Sequence, residues 1–275
     1  MSHTGFTEGE LTTVIVTYNS AEVLSQCLAS LRRCSAGTVL VVDNASSDSS
    51  AELARAAGVE VHVLDRNHGF AVAANHGARA ARSPYLCFLN PDCFVEAELL
   101  DIAAQALRLE GRCIALPSFL HGDGTVIPGC QPGYTWKKIL ADLIENNRNW
   151  PRMLRLLKGL PGYDAEGWKW PLCACAFIPR DLFLEVGGFD ERYFLYMEDV
   201  ELGIAITRVG GTVAALDSTV RHHSQTGSSV HPDRRMSLLN KARLQFARRH
   251  YGTCFEWLLR RVMPEHRRMA AEEGG

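Results

Sequence analysis

The strongest constraint on this chain is a rhythm in its first third, where short aliphatic runs alternate with segments of helical periodicity. Thr12–Thr17 (TTVIVT) is a short β-branched run that fits a strand buried on both faces, and Val39–Val42, Val59–Leu64 and Tyr85–Leu89 read as three further strands. After the first of them, Asn19 and Ser20 can cap a helix in which Val23, Leu24, Cys27, Leu28 and Leu31 share one face. Asp48–Ala57 and the alanine-rich Phe70–Arg82 read as the next two helices. Strands alternating with helices predict an α/β fold with right-handed crossovers and a mainly parallel sheet. In such a sheet ligands bind beyond the carboxyl ends of the strands, so the residues just past each strand carry the functional information.

Beyond a further helix at Ala97–Leu109 the rhythm changes. His121-Gly122-Asp123-Gly124 reads as a turn between two short extended segments. Trp136 to Lys158 reads as helical, interrupted near Asn149-Trp150-Pro151 and ended by Gly159. The stretch around 130–170 is expected to be a helical insertion shaping an acceptor cleft. Leu172–Ile178 returns to strand, followed by a helix, a Gly187-Gly188 turn and a helix from Glu198 to Val209. A C-terminal segment over 233–268 is expected to be helical, with Leu238, Leu239, Ala242, Phe246 and Tyr251 on the apolar face of Arg235–Tyr251. With no repeat, low-complexity tract or linker, residues 1–275 are expected to form one domain.

Composition narrows the function classes. A chain of 275 residues with 47% hydrophobic and 22% charged residues has ample core for a globular α/β protein. A net charge of −2 argues against broad binding to nucleic acid. Between Arg234 and Arg268, however, arginines and lysines far outnumber Glu256 and Glu265. That segment is suited either to an anionic lipid surface or phosphorylated acceptor, or to being a solvated helix face. Nine cysteines without a disulfide-like framework fit a reducing cytoplasm. The polar stretch from Met1 to Glu10 lacks a signal-peptide core, and no apolar run approaches the roughly 20 residues of a membrane span. Membrane association is expected to be peripheral at most, at the inner face.

Four clusters fall at strand ends: Thr17-Tyr18-Asn19, Asp43-Asn44 with the serines that follow, Asn67-His68-Gly69-Phe70, and Asn90-Pro91-Asp92. No GxGxxG or Walker A loop follows the first strand, which disfavours a dinucleotide dehydrogenase and a P-loop kinase. Asp43 is either a turn former or a carboxylate accepting hydrogen bonds from a nucleobase or ribose. Asp92, ending the apolar run YLCFLNPD, is placed to hold a hard divalent cation over a diphosphate, although an N-P-D turn explains it equally. Glu198 and Asp199 follow the aromatic Tyr193-Phe194-Leu195-Tyr196 and begin a helix. The helix dipole favours acids there, and a desolvated cleft would also lift one of them toward a general base. His222 and His223 sit at a later strand end and add imidazole to the set.

Together the segments VIVTYNS, VLVVDNASSDSS, NHGFAVAANHGA, YLCFLNPD, VGGFDERYFLYMEDVELGIAITRVGG and VRHHSQTGSS resemble the family 2 glycosyltransferases of the GT-A fold, in their rhamnosyltransferase-like branch. The resemblance runs in order from Thr12 to Ser229, about four fifths of the chain. It implies inverting transfer of a sugar from a nucleoside-diphosphate sugar to an acceptor hydroxyl, with Mg²⁺ or Mn²⁺. By this resemblance Thr17, Tyr18 and Asn19 border the nucleotide and Asp43 grips its base, while Asn67, Gly69, Phe70 and Asn75 frame the nucleotide and sugar pocket. Asn90 and Asp92 occupy the Asp-x-Asp position, with Asp92 the metal carboxylate. Asp199 is the catalytic base, and Glu198 a helix-start or supporting residue. His222 approaches the metal or diphosphate, with His223 as the alternative.

Two departures accompany the resemblance. Asn90 replaces the first acid, leaving fewer anionic ligands, and Cys173 and Cys175 stand where relatives carry small residues. The donor implied is dTDP-L-rhamnose, with UDP-sugars open, and the acceptor a saccharide, a lipid-linked saccharide or a small molecule. A sugar nucleotidyltransferase would need a glycine-rich, basic phosphate loop near the first strand, which TYNSAEV lacks. A catalytically silent sugar-nucleotide-binding protein would not need the acid at Asp199.

Overall fold

A computed structural model describes residues 5–34, 37–145, 168–222 and 232–262. In chain order the elements are β1 (Leu11–Thr17), α1 (Ala21–Arg33), β2 (Thr38–Asp43), α2 (Ser50–Ala56), β3 (Glu60–Val63), α3 (Phe70–Ala80), β4 (Tyr85–Leu89), β5 (Cys93–Phe94), α4 (Ala97–Glu110), β6 (Cys113–His121), β7 (Val126–Ile127), β8 (Cys130–Pro132) and α5 (Trp136–Glu145). There follow β9 (Lys169–Pro171), β10 (Cys175–Pro179), α6 (Arg180–Glu185), α7 (Glu198–Arg208), β11 (Thr212–His222) and α8 (Pro232–Val262).

The chain divides into two compact units, the first of Met1–Gln131, Lys169–Phe194 and Glu198–Ser229. It holds a nine-stranded sheet in the order β3-β2-β1-β4-β10-β6-β11-β5, with β7 paired to β6. The predicted parallel core is present: β1 runs parallel to both β2 and β4, and β2 parallel to β3. The sheet becomes mixed at β10, which runs antiparallel to β4 and β6. Strand periodicity sorts the apolar residues onto two faces. Leu11, Ile15, Cys87, Leu89, Cys175 and Phe177 pack with residues of α1, α2 and α4. Val14, Leu86, Phe88, Ala176 and Ile178 pack with residues of α3, α6 and α7 on the other. The near-continuous aliphatic character of β1 follows, because both of its faces are covered.

Helix α3 lies close to the sheet because its inward positions are small: Ala71, Ala73, Ala74 and Ala78 are fully buried. At Gly77 an added Cβ would stand 2.4 Å from Val14 Cγ1, so only glycine permits this approach. The expected cap of α1 takes a different form. Ser20 makes no side-chain cap bond; the Asp48 carboxylate accepts from the Ala21 amide at 2.9 Å instead. A ligand of the helix end thus comes from the neighbouring loop, tying β1–α1 to β2–α2.

The second unit comprises Pro132–Trp168, Leu195–Met197 and Val230–Gly275. Within it, α8 carries the amphipathic pattern, burying Ala242, Leu244, Phe246 and Ala247, and breaks at Gly252, whose φ of 84° and ψ of 174° suit glycine alone. Not all of its basic residues are solvated: Arg243 is buried and donates Nε–H to the Tyr134 hydroxyl at 3.0 Å.

Candidate active site

The parallel register aligns the ends of β1 and β2, placing Thr17 opposite Asp43. Thr17 Oγ1 donates to Asp43 Oδ1 at 3.1 Å, and the Ser46 amide donates to Asp43 Oδ2 at 3.0 Å. Asp43 is buried, yet each carboxylate oxygen keeps a second lone pair for a ligand donor. Asn19, in the left-handed region at φ 52°, accepts from the Ser47 amide on its Oδ1 and braces the two loops. Tyr18 stands between these anchors, half-buried.

Asn44, mentioned in the sequence only as a neighbour of Asp43, is the residue that joins the third cluster to the second. Its buried amide donates to Asn67 Oδ1 at 2.9 Å and to the Gly69 carbonyl at 3.0 Å, and its Oδ1 accepts from the His68 amide at 2.9 Å. Asn67 also accepts from the Gly69 amide, so its side chain holds the loop. The Phe70 amide donates to the Phe194 carbonyl at 2.9 Å, which pins this loop to the approach of α7. Gly69, with φ 87° and ψ 172°, has backbone angles reserved for glycine, and an added Cβ would lie 2.2 Å from that carbonyl oxygen. We expect Gly69→Ala to cost at least about 2 kcal/mol from strain and overpacking and to weaken nucleotide binding. Chemical denaturation and calorimetry measure both; a variant with parental stability would remove the close approach as a constraint.

Asn75 has a different destination. Its amide donates to the Phe189 carbonyl at 2.8 Å and to Glu191 at 3.0 Å, and its oxygen accepts from the Phe189 amide at 2.9 Å. Both donors are committed to the 188–191 turn, a structural duty that the sequence reading did not include.

The fourth cluster is assembled by antiparallel pairing. β10 starts beside the end of β4, and the Asn90 amide donates to the Ala174 carbonyl at 2.8 Å. The chain then turns into β5, which pairs antiparallel with the end of β11 and sets Cys93 opposite His222. Asp92 Oδ1 is consequently 3.4 Å from His222 Nε2, with both groups largely buried. Ligand atoms of Asp92, Cys93 and His222 lie within 4.8 Å of one another. That oxygen–nitrogen separation suits two ligands of one divalent ion at about 2.0–2.2 Å each. Burial raises the Cys93 thiol well above its usual pKa, and the Asp92 carboxylate and His222 imidazole beside it are donors that could hold a divalent cation. The sequence reading missed Cys93 and also His121, which is registered opposite His222 with ring centroids 5.3 Å apart. His223 lies outside the described residues.

Glu198 and Asp199 open α7, preceded by Tyr196 and Met197, both at φ 72°. Two consecutive non-glycine residues in the left-handed region store strain at the turn that presents these acids. Glu198 is buried with no partner on Oε2, and burial, then the adjacent Asp199, pushes its pKa well above the ordinary range. Asp199 retains partial exposure; the Val200 amide donates to its Oδ1, yet burial still pushes it up to about 7. Burial thus favours the neutral form of both carboxyls, and neighbouring groups of this kind titrate together. Cys173, just before Ala174, is buried beside both carboxylates, and its thiol is raised by burial and then by their charges. Asn90, Ala174, Cys173 and the acids thus form a continuous edge.

This edge can be set against known proteins. The glycosyl transferase family 2 model matches residues 12–155, and the chain belongs to that family. It is 29% identical over 282 residues to an N-acetylglucosaminyl-diphospho-decaprenol L-rhamnosyltransferase of Mycobacterium tuberculosis, spanning 91% of this chain and 89% of the relative. In structure it resembles GalNAc-T7 bound to UDP, GalNAc and Mn²⁺, with TM-score 0.59, 18% identity, and coverage of 78% of this chain and 43% of that one. Residues 1–349 of S. aureus TarS give TM-score 0.57 and 15% identity over 93% of this chain and 81% of theirs. The fold is the GT-A fold, and the chain is a glycosyltransferase.

Proposed function

We propose that this glycosyltransferase inverts the anomeric centre, moving L-rhamnose from dTDP-L-rhamnose to a hydroxyl of a lipid-linked saccharide. The observation that carries the reading is the half-buried Asp199, a single carboxylate raised to about 7 beside a protonatable neighbour. Direct displacement needs one such base. Asp199 takes the acceptor O–H proton, the acceptor oxygen bonds to the anomeric carbon, and the bond from that carbon to the diphosphate oxygen breaks. Burial, then the adjacent Asp199, pushes the Glu198 carboxyl toward its neutral form, which lessens the negative charge beside the base. Asp43, Thr17, Tyr18 and Asn19 hold the nucleotide, and Asn67, Gly69 and Phe70 shape the floor beside it. Asp92 and His222 would hold Mg²⁺ or Mn²⁺, which would neutralise charge on the departing diphosphate. The Mn²⁺ in the GalNAc-T7 structure supports a divalent cation, and the name of the mycobacterial relative supports the sugar and the polyprenyl-diphosphate acceptor.

A thermal-shift screen of nucleoside-diphosphate sugars with Mg²⁺ or Mn²⁺ tests the donor, because a specific ligand stabilises the folded state by mass action. Stabilisation by dTDP-L-rhamnose, followed by transfer to polyprenyl-diphosphate N-acetylglucosamine, is the expected result; a response to UDP-sugars alone would reassign the donor. Asp43→Ala is expected to weaken dTDP binding, and to cost about 1–3 kcal/mol by leaving Thr17 and Ser46 unpaired. Unchanged affinity in calorimetry, below the unfolding temperature of the variant, would remove Asp43 from the base pocket.

The exposed end of α8 supports peripheral contact with an anionic bilayer from the cytoplasmic side. Trp257 and Leu258 are 55% and 43% exposed, and Arg261 stacks over the Trp257 ring at 3.9 Å. No helix among the described residues is long and apolar enough to cross a membrane. Nine free cysteines fit the reducing side. Salt-sensitive flotation with anionic but not neutral liposomes is expected, and Trp257→Ser should reduce it; equal flotation with neutral vesicles would reject the electrostatic part.

A further inference from the structure

A pair of histidines lies away from the Asp92 edge, where the edge strand β3 meets α3. His62 projects from the edge strand and His76 from the helix, with His62 Nδ1 and His76 Nε2 2.8 Å apart and the rings meeting edge to face. On the far side of the first ring, Glu60 Oε1 is 2.9 Å from His62 Nε2. A carboxylate there fixes the N–H on Nε2 and leaves the lone pair on Nδ1, aimed at His76. Carboxylate–imidazole pairing of this kind orients and strengthens histidine ligands of transition metals.

We propose that His62 Nδ1 and His76 Nε2 chelate a borderline divalent ion such as Zn²⁺ or Ni²⁺, with Glu60 as the orienting carboxylate. Two imidazole nitrogens on one ion, each at about 2.0–2.1 Å, stand about 2.9–3.4 Å apart. The hydrogen-bonded pair therefore needs to open by only a few tenths of an ångström. Binding moves the His76 proton from Nε2 to Nδ1 through solvent, and the ion takes its place between the rings. The His62 side chain is 31% exposed, so the ion and its remaining water ligands have access. The nearby positive charge of Arg79 is engaged by Glu191 at 3.3 Å, and Glu60 supplies local negative charge. Nitrogen ligands without a coordinating carboxylate favour Zn²⁺ or Ni²⁺ over Mg²⁺.

Calorimetric titration of the full chain with ZnCl₂ in excess MgCl₂ tests the assignment. One Zn²⁺ equivalent that Mg²⁺ does not displace and that Asp92→Asn keeps is expected, with a rise in unfolding temperature. His62→Gln and His76→Gln should each weaken it at least tenfold, and Glu60→Gln about tenfold, while Asp92→Asn retains it. His62→Gln lies on a half-exposed edge strand, so the test survives even if the helix variant folds poorly. Zn²⁺ uptake unaltered in both histidine variants, or lost in Asp92→Asn alone, would overturn the proposal.

Discussion

Asp199→Asn is expected to lower the transfer rate about 10²–10⁴-fold while leaving donor affinity nearly unchanged. The amide keeps the size of the carboxylate and its bond from the Val200 amide, but it cannot accept the acceptor proton. The parent rate should fall as pH drops below about 7, because the base form of Asp199 is lost there. The variant should lose that limb of the profile. Stability should move the other way. A carboxyl whose folded pKa is raised stabilises the fold most below its unfolded pKa, and that contribution disappears as pH rises through the folded value. Asp199→Asn should therefore melt higher than the parent at pH 8 and show no such gain at pH 4. Glu198→Gln, replacing a carboxyl that burial biases toward its neutral form, should retain most activity. Parental turnover by Asp199→Asn with a dead Glu198→Gln would exchange the two roles, and activity in both would reject single-base inversion.

Asp92→Ala is expected to reduce transfer by about 10³-fold or more, since several kcal/mol of charge stabilisation on the leaving diphosphate is at stake and each 1.36 kcal/mol is about tenfold. Chelator should silence the parent and Mn²⁺ or Mg²⁺ restore it, while His222→Gln should raise the metal concentration needed. The two substitutions touch one pair, 3.4 Å apart, so their effects should not add. Full activity of Asp92→Ala in EDTA would end the metal role. A variant inactive yet equally metal-responsive in thermal shift would locate the ion elsewhere.

β1 was legible because a strand covered on both faces must be aliphatic at nearly every position, and it is buried along almost its whole length, whereas the edge strand β3 was legible from the alternation of Val61 and Val63 with Glu60 and His62. Helices α1, α3 and α4 were legible from their spacing for the same reason, with boundaries differing by a residue or two. β6 and β11 were largely hidden. Pro117 interrupts the first, and in the second a register shift between Ala215 and Thr219 breaks the alternation that marks a strand. Asn19 and Ser20 both suit a cap by sequence, yet the acceptor on the Ala21 amide is Asp48, brought there by loop packing rather than by sequence proximity. Asn44 and Asn75 were hard to read for a related cause: an asparagine looks the same whether its amide faces a ligand or satisfies a neighbouring backbone.

The sequence by itself determined which chemical groups end each strand, since apolar periodicity marks where strands stop and the next residues are polar by necessity. It also carried the family likeness and the acid pair at the start of α7. Only the tertiary structure decided which of those groups meet. The antiparallel course of β10 brings Ala174 to Asn90, and the short β5 folds Asp92 across to His222. The physical reason is that burial patterns are local, set by a repeat of 2.0 or 3.6 residues along one element. Strand order and direction depend on the packing of distant segments, and no local repeat encodes them.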